Sequence, residues 1–290
     1  MSMLHLANAE LRVDLLDPTT EAARLGPRFC GGGYIWQIHD LRVGPLLSGP
    51  EGPESAPDPF NGHGLPESFR DRTRDGRALL WNEVGDEGLA PGAGRLGRDP
   101  SGVVLTAPPV WNIMAGESHL EFRTRHAAAG HDCEVVRRIE LSDRRVRSHS
   151  TLVNRASAPL SLQWFAHPFF ALDAEHHIAL SVPPTTTLAA DSGFTLAAGV
   201  ITPARRYDGQ FDGAFTLLGW PTGTPLDVRL SHPRLRDGIR FTTTFAPAEC
   251  PLWMNGFTCS IEPYQTLDLA PGESREWTLT YDFGLPHGTA

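Results

Sequence analysis

The sequence predicts an all-β sandwich with long loops in its N-terminal half. Three observations carry this prediction. Gly (29) and Pro (25) make up about a fifth of the 290 residues and are spread along the chain, against a background of roughly 12%. Short apolar runs recur at close intervals from Val103 onward, separated by these breakers. Neither an internal repeat nor an amphipathic helix longer than a few turns is found. Hydrophobic residues at 40% supply a sizeable core, and the length has room for one large β domain or two ordinary ones.

Residues 1–16 mix apolar side chains with His5, Glu10, Arg12 and Asp14, so they lack the continuous core of a signal peptide. Gly31-Gly32-Gly33 is not followed by a helix pattern and reads as a bulge or turn rather than a phosphate-cradling loop. Residues 48–75 are rich in Pro, Gly and charge, and residues 85–100 hold a second Gly-rich stretch. Apolar strand-like runs flank both, so each reads as a long functional loop. Strands are then predicted at 103–106, 120–125, 134–141, 146–153 and 160–167, and again at 215–220, 239–245, 256–262 and 275–283.

Strand phase is informative because alternate side chains point to opposite faces. In 160–167, Leu160, Leu162, Trp164 and Ala166 share one face, and Ser161, Gln163, Phe165 and His167 the other. In 256–262, Phe257, Cys259 and Ile261 oppose Thr258, Ser260 and Glu262. His167 and Glu262 thus each lie on the more polar face of a strand end, and each directly precedes a proline. In the last strand Trp277, Leu279, Tyr281 and Phe283 point inward. Sheets with one greasy face and one polar face suit a sandwich with a ligand groove.

The formal charge is -9, and all 25 basic residues are arginine, which reads as genomic base composition. The acidic balance argues against nucleic acid or an anionic membrane as a partner. Cys30, Cys133, Cys250 and Cys259 lack metal-ligand spacing and read as free thiols of a reducing, cytoplasmic compartment, with a Cys250–Cys259 bridge left open. No window approaches membrane-spanning length. Asp173, Glu175, His176 and His177 match no defined metal site, so no metal is expected. Trp36, Trp81, Trp111, Trp164 and Trp253 are read mainly as core, with room among them for a sugar-stacking face.

Three motifs in order carry a family resemblance. Asn154 followed by Trp164-Phe165-Ala166-His167-Pro168-Phe169-Phe170 is the first, and Gln210-Phe211-Asp212-Gly213-Ala214-Phe215 the second. The third is Ile261-Glu262-Pro263 with Pro271-Gly272-Glu273 and a final aromatic strand. Together they resemble galactose mutarotase-like proteins, the aldose 1-epimerase superfamily, over residues 103–283, with weaker echoes at Arg28-Phe29 and Gly62-His63-Gly64. The resemblance implies a single-domain β-supersandwich over residues 1–290, a small-molecule carbohydrate as partner, and no metal or organic cofactor. Carried over residue by residue, it makes His167 the general acid and Glu262 the general base. It also makes Asp212, His63 and Arg28 sugar-binding residues. The N-terminal region departs from the family: its Gly-Arg pair, Asn-Arg-Ile and Leu-His-Gly-Gly are absent.

The expected activity is α/β anomer interconversion of a hexose by acid–base ring opening and reclosure. An imidazole and a carboxylate fit it because one group must take the O1 proton while the other supplies the ring oxygen. Two alternatives are a hexose 6-phosphate mutarotase, with Arg70, Arg72 and Arg74 (beside Arg77) as the phosphate-binding set, and a non-catalytic carbohydrate-binding protein.

Overall fold

A computed structural model describes residues 2–52, 57–70, 80–82, 85–100, 102–172 and 177–288. Its scaffold is a ten-stranded antiparallel sheet in the spatial order Asn112–Ala115, His119–Ala128, His131–Ser142, Arg145–Asn154, Ser274–Phe283, Leu235–Thr243, Asp227–His232, Leu180–Ser181, Val200–Pro203 and Phe194–Ala197. The predicted inward residues of the last strand are buried, from Trp277 at 2% exposure to Leu279 at 0%. Among the described residues the one helix is the single turn Ala22–Leu25, and no helix is long and apolar enough to cross a membrane.

Seven further strands position the site. They are β1 (Glu67–Arg70), β2 (Leu160–Ala166), β3 (Phe170–Ala171), β4 (Gly213–Leu218), β5 (Cys250–Asn255), β6 (Thr258–Ile261) and β7 (Tyr264–Leu269). They form two small antiparallel sheets, ordered β7-β2-β1 and β3-β6-β5-β4. Aromatic contacts close both onto the large sheet, as a sandwich requires. Trp164 of β2 lies 5.0 Å from Trp277 between ring centroids, Phe69 of β1 lies 6.2 Å from Trp277, and Phe170 of β3 lies 6.2 Å from Phe241.

One ionic link crosses this apolar layer. Arg137 of the large sheet pairs with Glu67 of β1, donates to Ser148 Oγ at 3.0 Å and to Gly32 O at 2.8 Å, and is fully buried. Gly32 belongs to the predicted glycine turn, where Gly33 has φ +72°. Any Cβ at Gly32 would meet the Trp111 ring at 2.4 Å.

Two readings of the first half need correction. Residues 85–100 are a strand hairpin, Gly88–Ala90 with Gly94–Asp99, continued by Gly102–Ala107. The stretch 48–75 contributes β1, at the edge of the β2 sheet. Glycine-rich strands hide their pairing because backbone hydrogen bonds need no side-chain alternation. An N-terminal sheet of Met3–Ala7, Leu11–Leu16, Ile35–Asp40 and Gly44–Pro45 was also unpredicted. Four of the six residues of Ile35–Asp40 are consecutive and buried, so it lacks the two-residue period of a half-exposed strand. Cys30, Cys133, Cys250 and Cys259 are buried free thiols, with no Cys250–Cys259 bridge.

Candidate active site

His167 follows β2 directly. Its backbone N–H donates to Pro66 O at 2.9 Å, and Pro168, which has no N–H, ends the strand there. The ring is enclosed by aromatics: it stacks on Phe169 at 4.5 Å and lies edge-on to Phe29 at 6.3 Å and Trp253 at 6.2 Å. Gly62 makes room for Phe169, since a Cβ there would stand 2.5 Å from that ring.

Glu262 follows β6 in the same way. Its N–H donates to Pro251 O at 2.8 Å, and the Tyr264 hydroxyl lies 3.4 Å from Oε2. The two predicted catalytic side chains meet, with His167 Nε2 3.5 Å from Glu262 Oε1. The other imidazole nitrogen, Nδ1, lies 3.0 Å from Ser260 Oγ. Ser260 and Glu262 are two positions apart and lie on the same polar face that the sequence phase indicated. One strand end therefore brackets both nitrogens of the imidazole. That face is not solvated: Thr258 and Ser260 are 0% exposed and Glu262 7%.

The pair stands in a pocket of about 370 Å³, also lined by Arg28, Asn61, Phe169, Gln210, Phe211, Phe215 and Trp253. Arg28 is half-buried, donates to Phe60 O at 2.9 Å and Asn61 O at 3.3 Å, and packs its guanidinium 4.9 Å from the Phe29 ring centre. Burial, and secondarily the Arg28 charge, push the His167 pKa down to about 3. The imidazole is therefore neutral near pH 7. A carboxylate only accepts, so with Glu262 ionised the tautomer that satisfies both contacts carries its proton on Nε2 and takes the Ser260 hydroxyl's hydrogen at Nδ1.

The other predicted site residues stand apart from this pair. His63 lines a second cavity of about 410 Å³ with Trp36, Gln37 and His232. It stacks on Trp36 at 4.6 Å, receives a Gln37 amide hydrogen bond at 3.3 Å, and has its pKa pushed down to about 4 by burial. Asp212 makes a bidentate pair with Arg205 at 2.6 and 2.8 Å, which together with the Asp208 N–H holds its pKa down at about 2. Asp212 fixes the turn that carries Gln210 and Phe211 to the pocket, while its own carboxylate is committed to Arg205. Arg72, Arg74 and Arg77 lie outside the described residues, as does the Arg70 side chain, and so do Asp173, Glu175 and His176. No group of three His, Cys, Asp or Glu side chains arranged to hold a metal occurs among the described residues.

Sequence reasoning did not single out Ser260, Asn61, Gln210 or Phe215 as site residues. Ser260 was legible in the strand phase it shares with Glu262. Asn61 and Gln210 lie in loops, where no period marks a facing side chain. Asn154, which opens the first motif, is no pocket residue. It is fully buried and its Nδ2 donates to Ala158 O at 2.9 Å and Leu269 O at 3.0 Å.

No protein-family model matches this chain, and no curated protein matches its sequence. Solved structures do match it along nearly its whole length. The Slr1438 protein from Synechocystis sp. PCC 6803 is 16% identical, with 98% of this chain and 96% of that one covered and a TM-score of 0.60. A galactose mutarotase-like protein from Lactobacillus casei ATCC 334 is 13% identical over 97% of this chain and 100% of that one, at TM-score 0.58. A galactose mutarotase related enzyme from Lactobacillus acidophilus is 14% identical over 97% of each chain, at TM-score 0.60. Identities this low establish a shared fold, and the chain has the galactose mutarotase-like fold.

Proposed function

We propose that this protein interconverts the α and β anomers of an aldose, with Glu262 as general base and His167 as proton donor to the ring oxygen. The observation that carries the reading is the 3.5 Å approach of His167 Nε2 to Glu262 Oε1 in a pocket. Mutarotation moves one proton from O1 to O5 while the C1–O5 bond breaks and reforms. Glu262 takes the O1 proton, and the Nε2–H of neutral His167 stabilises charge developing on the departing oxygen. As Nε2–H passes to O5, the protonated Glu262 carboxyl returns its proton to the imidazole. After rotation about the C1–C2 bond, the reverse sequence closes the ring as the other anomer. Each proton transfer contributes on the order of 10²–10⁴-fold. A small-molecule carbohydrate is the only partner this chemistry needs, and none of its steps calls for a metal or organic cofactor. The Arg28 guanidinium lies within electrostatic reach of Glu262 and lines the same pocket.

The experiment is anomer exchange of a panel of aldoses, followed by NMR or polarimetry for wild type and Glu262→Gln across pH. Wild type should accelerate exchange over buffer, and Glu262→Gln should lose at least about 10² of that rate. Saccharide binding without acceleration would replace this reading with a non-catalytic one.

A further inference from the structure

A row of aromatic side chains runs outward from the acid–base pair along the pocket. In the β3-β6-β5-β4 sheet, Ser260 of β6 is opposite Trp253 of β5, and Trp253 is opposite Phe215 of β4. Direct antiparallel partners share a face, so the three lie in one line across the sheet. The line starts at the hydroxyl that holds His167 and ends on β4, the outermost strand of its sheet. At about 4.8 Å per strand it spans about 10 Å.

Its outer end is bare. Phe215 is 56% exposed, and Phe211, in the turn before β4, is 96% exposed. Both line the same pocket as His167 and Glu262, so the patch is continuous with the acid–base pair rather than a separate surface. Contiguous exposed apolar surface of this kind marks a binding site. The flat faces of Trp and Phe suit the C–H faces of pyranose rings, and two strand spacings match the reach of two linked rings. A phosphate fits the outer end poorly. Among the described residues Arg28 is the one cation in the pocket lining, and Arg205 is committed to Asp212, the residue after Phe211.

We infer that Trp253, Phe215 and Phe211 form a second sugar subsite. On the mutarotase reading, the substrate is then the reducing-end aldose of a di- or oligosaccharide rather than a free hexose. Two measurements separate this inference from the reading it rests on. In the first, anomer exchange is compared for glucose and galactose against maltose, cellobiose and lactose. The disaccharides should show kcat/KM at least about tenfold higher, and Phe211→Ala/Phe215→Ala should cut that ratio at least about fivefold. In the second, binding of methyl maltoside and methyl glucoside, which cannot mutarotate, is read from tryptophan fluorescence and calorimetry.

Exchange of every sugar with no disaccharide preference would overturn the subsite and leave the mutarotase reading standing. No exchange of any aldose, with methyl maltoside bound more tightly than methyl glucoside and weakened by the double substitution, would do the reverse. Sedimentation showing a dimer that Phe215→Ala dissolves would also overturn the subsite, because a second copy would then cover the row.

Discussion

The Ser260 hydroxyl, 3.0 Å from Nδ1 of His167, and the Glu262 carboxylate, 3.5 Å from Nε2, together favour the tautomer with its proton on Nε2, since the carboxylate only accepts and the hydroxyl can donate. His167 is neutral around pH 7 because burial and Arg28 hold its pKa near 3, so its usefulness as a donor depends on that tautomer. Ser260→Ala removes the group and leaves Nδ1 free to take the proton itself. It is expected to lower kcat about tenfold with a smaller effect on KM, and to change the ¹⁵N tautomer signature of His167. An unchanged kcat with an unchanged spectrum would show that the tautomer is set elsewhere. The sequence placed Ser260 and Glu262 on one face. The side chain they meet lies on another strand, and that distance no local pattern encodes.

At the scale of elements, Asn154 joins three segments that the site depends on. Its side chain ties the end of Arg145–Asn154 to Leu269 of β7 and to the following turn. Its backbone exchanges hydrogen bonds with Gly272 and Glu273. This explains why Asn154 and the Pro-Gly-Glu turn occur together in the sequence motifs: each satisfies the other. Asn154→Ala removes three side-chain hydrogen bonds and leaves a buried carbonyl bare, for an expected loss of about 2–4 kcal/mol in urea denaturation. A loss under about 0.5 kcal/mol would mean that the turn holds without the clamp. Strands of the second half were legible from alternation: the observed Arg145–Asn154 extends the predicted 146–153 by one residue at each end, and Ser274–Phe283 extends the predicted 275–283 by one residue at its start. The glycine-rich hairpin at 88–99 and the buried Ile35–Asp40 were not, because neither shows one wet and one dry face.

Across the whole molecule, two buried histidines, His63 and His232, and two half-buried ones, His126 and His167, couple stability to pH. Burial pushes His167 down to about 3 and His63, His126 and His232 to about 4. Below the ordinary histidine value of about 6.5, the unfolded chain binds protons that the folded chain refuses. Stability therefore falls as pH drops from about 6.5 toward 4, by up to about 1.4 kcal/mol per pH unit for each histidine. Denaturation midpoints at pH 7 and pH 5 should differ markedly, before the carboxylate range is reached, and His232→Asn should reduce the difference. Equal midpoints would contradict the burial argument.

Alternation, breakers and the absence of long helical periodicity determined an all-β sandwich from the sequence by itself. The proline-terminated strand ends likewise marked His167 and Glu262. Those signals are local, and they report which face a side chain takes within its own strand. Only the tertiary structure decided that the two side chains lie 3.5 Å apart, that Ser260 completes the bracket, and that His63 faces another cavity. Such distances depend on how strands distant in sequence pair and how two sheets pack. That outcome is set by the buried core as a whole, and no single segment contains it.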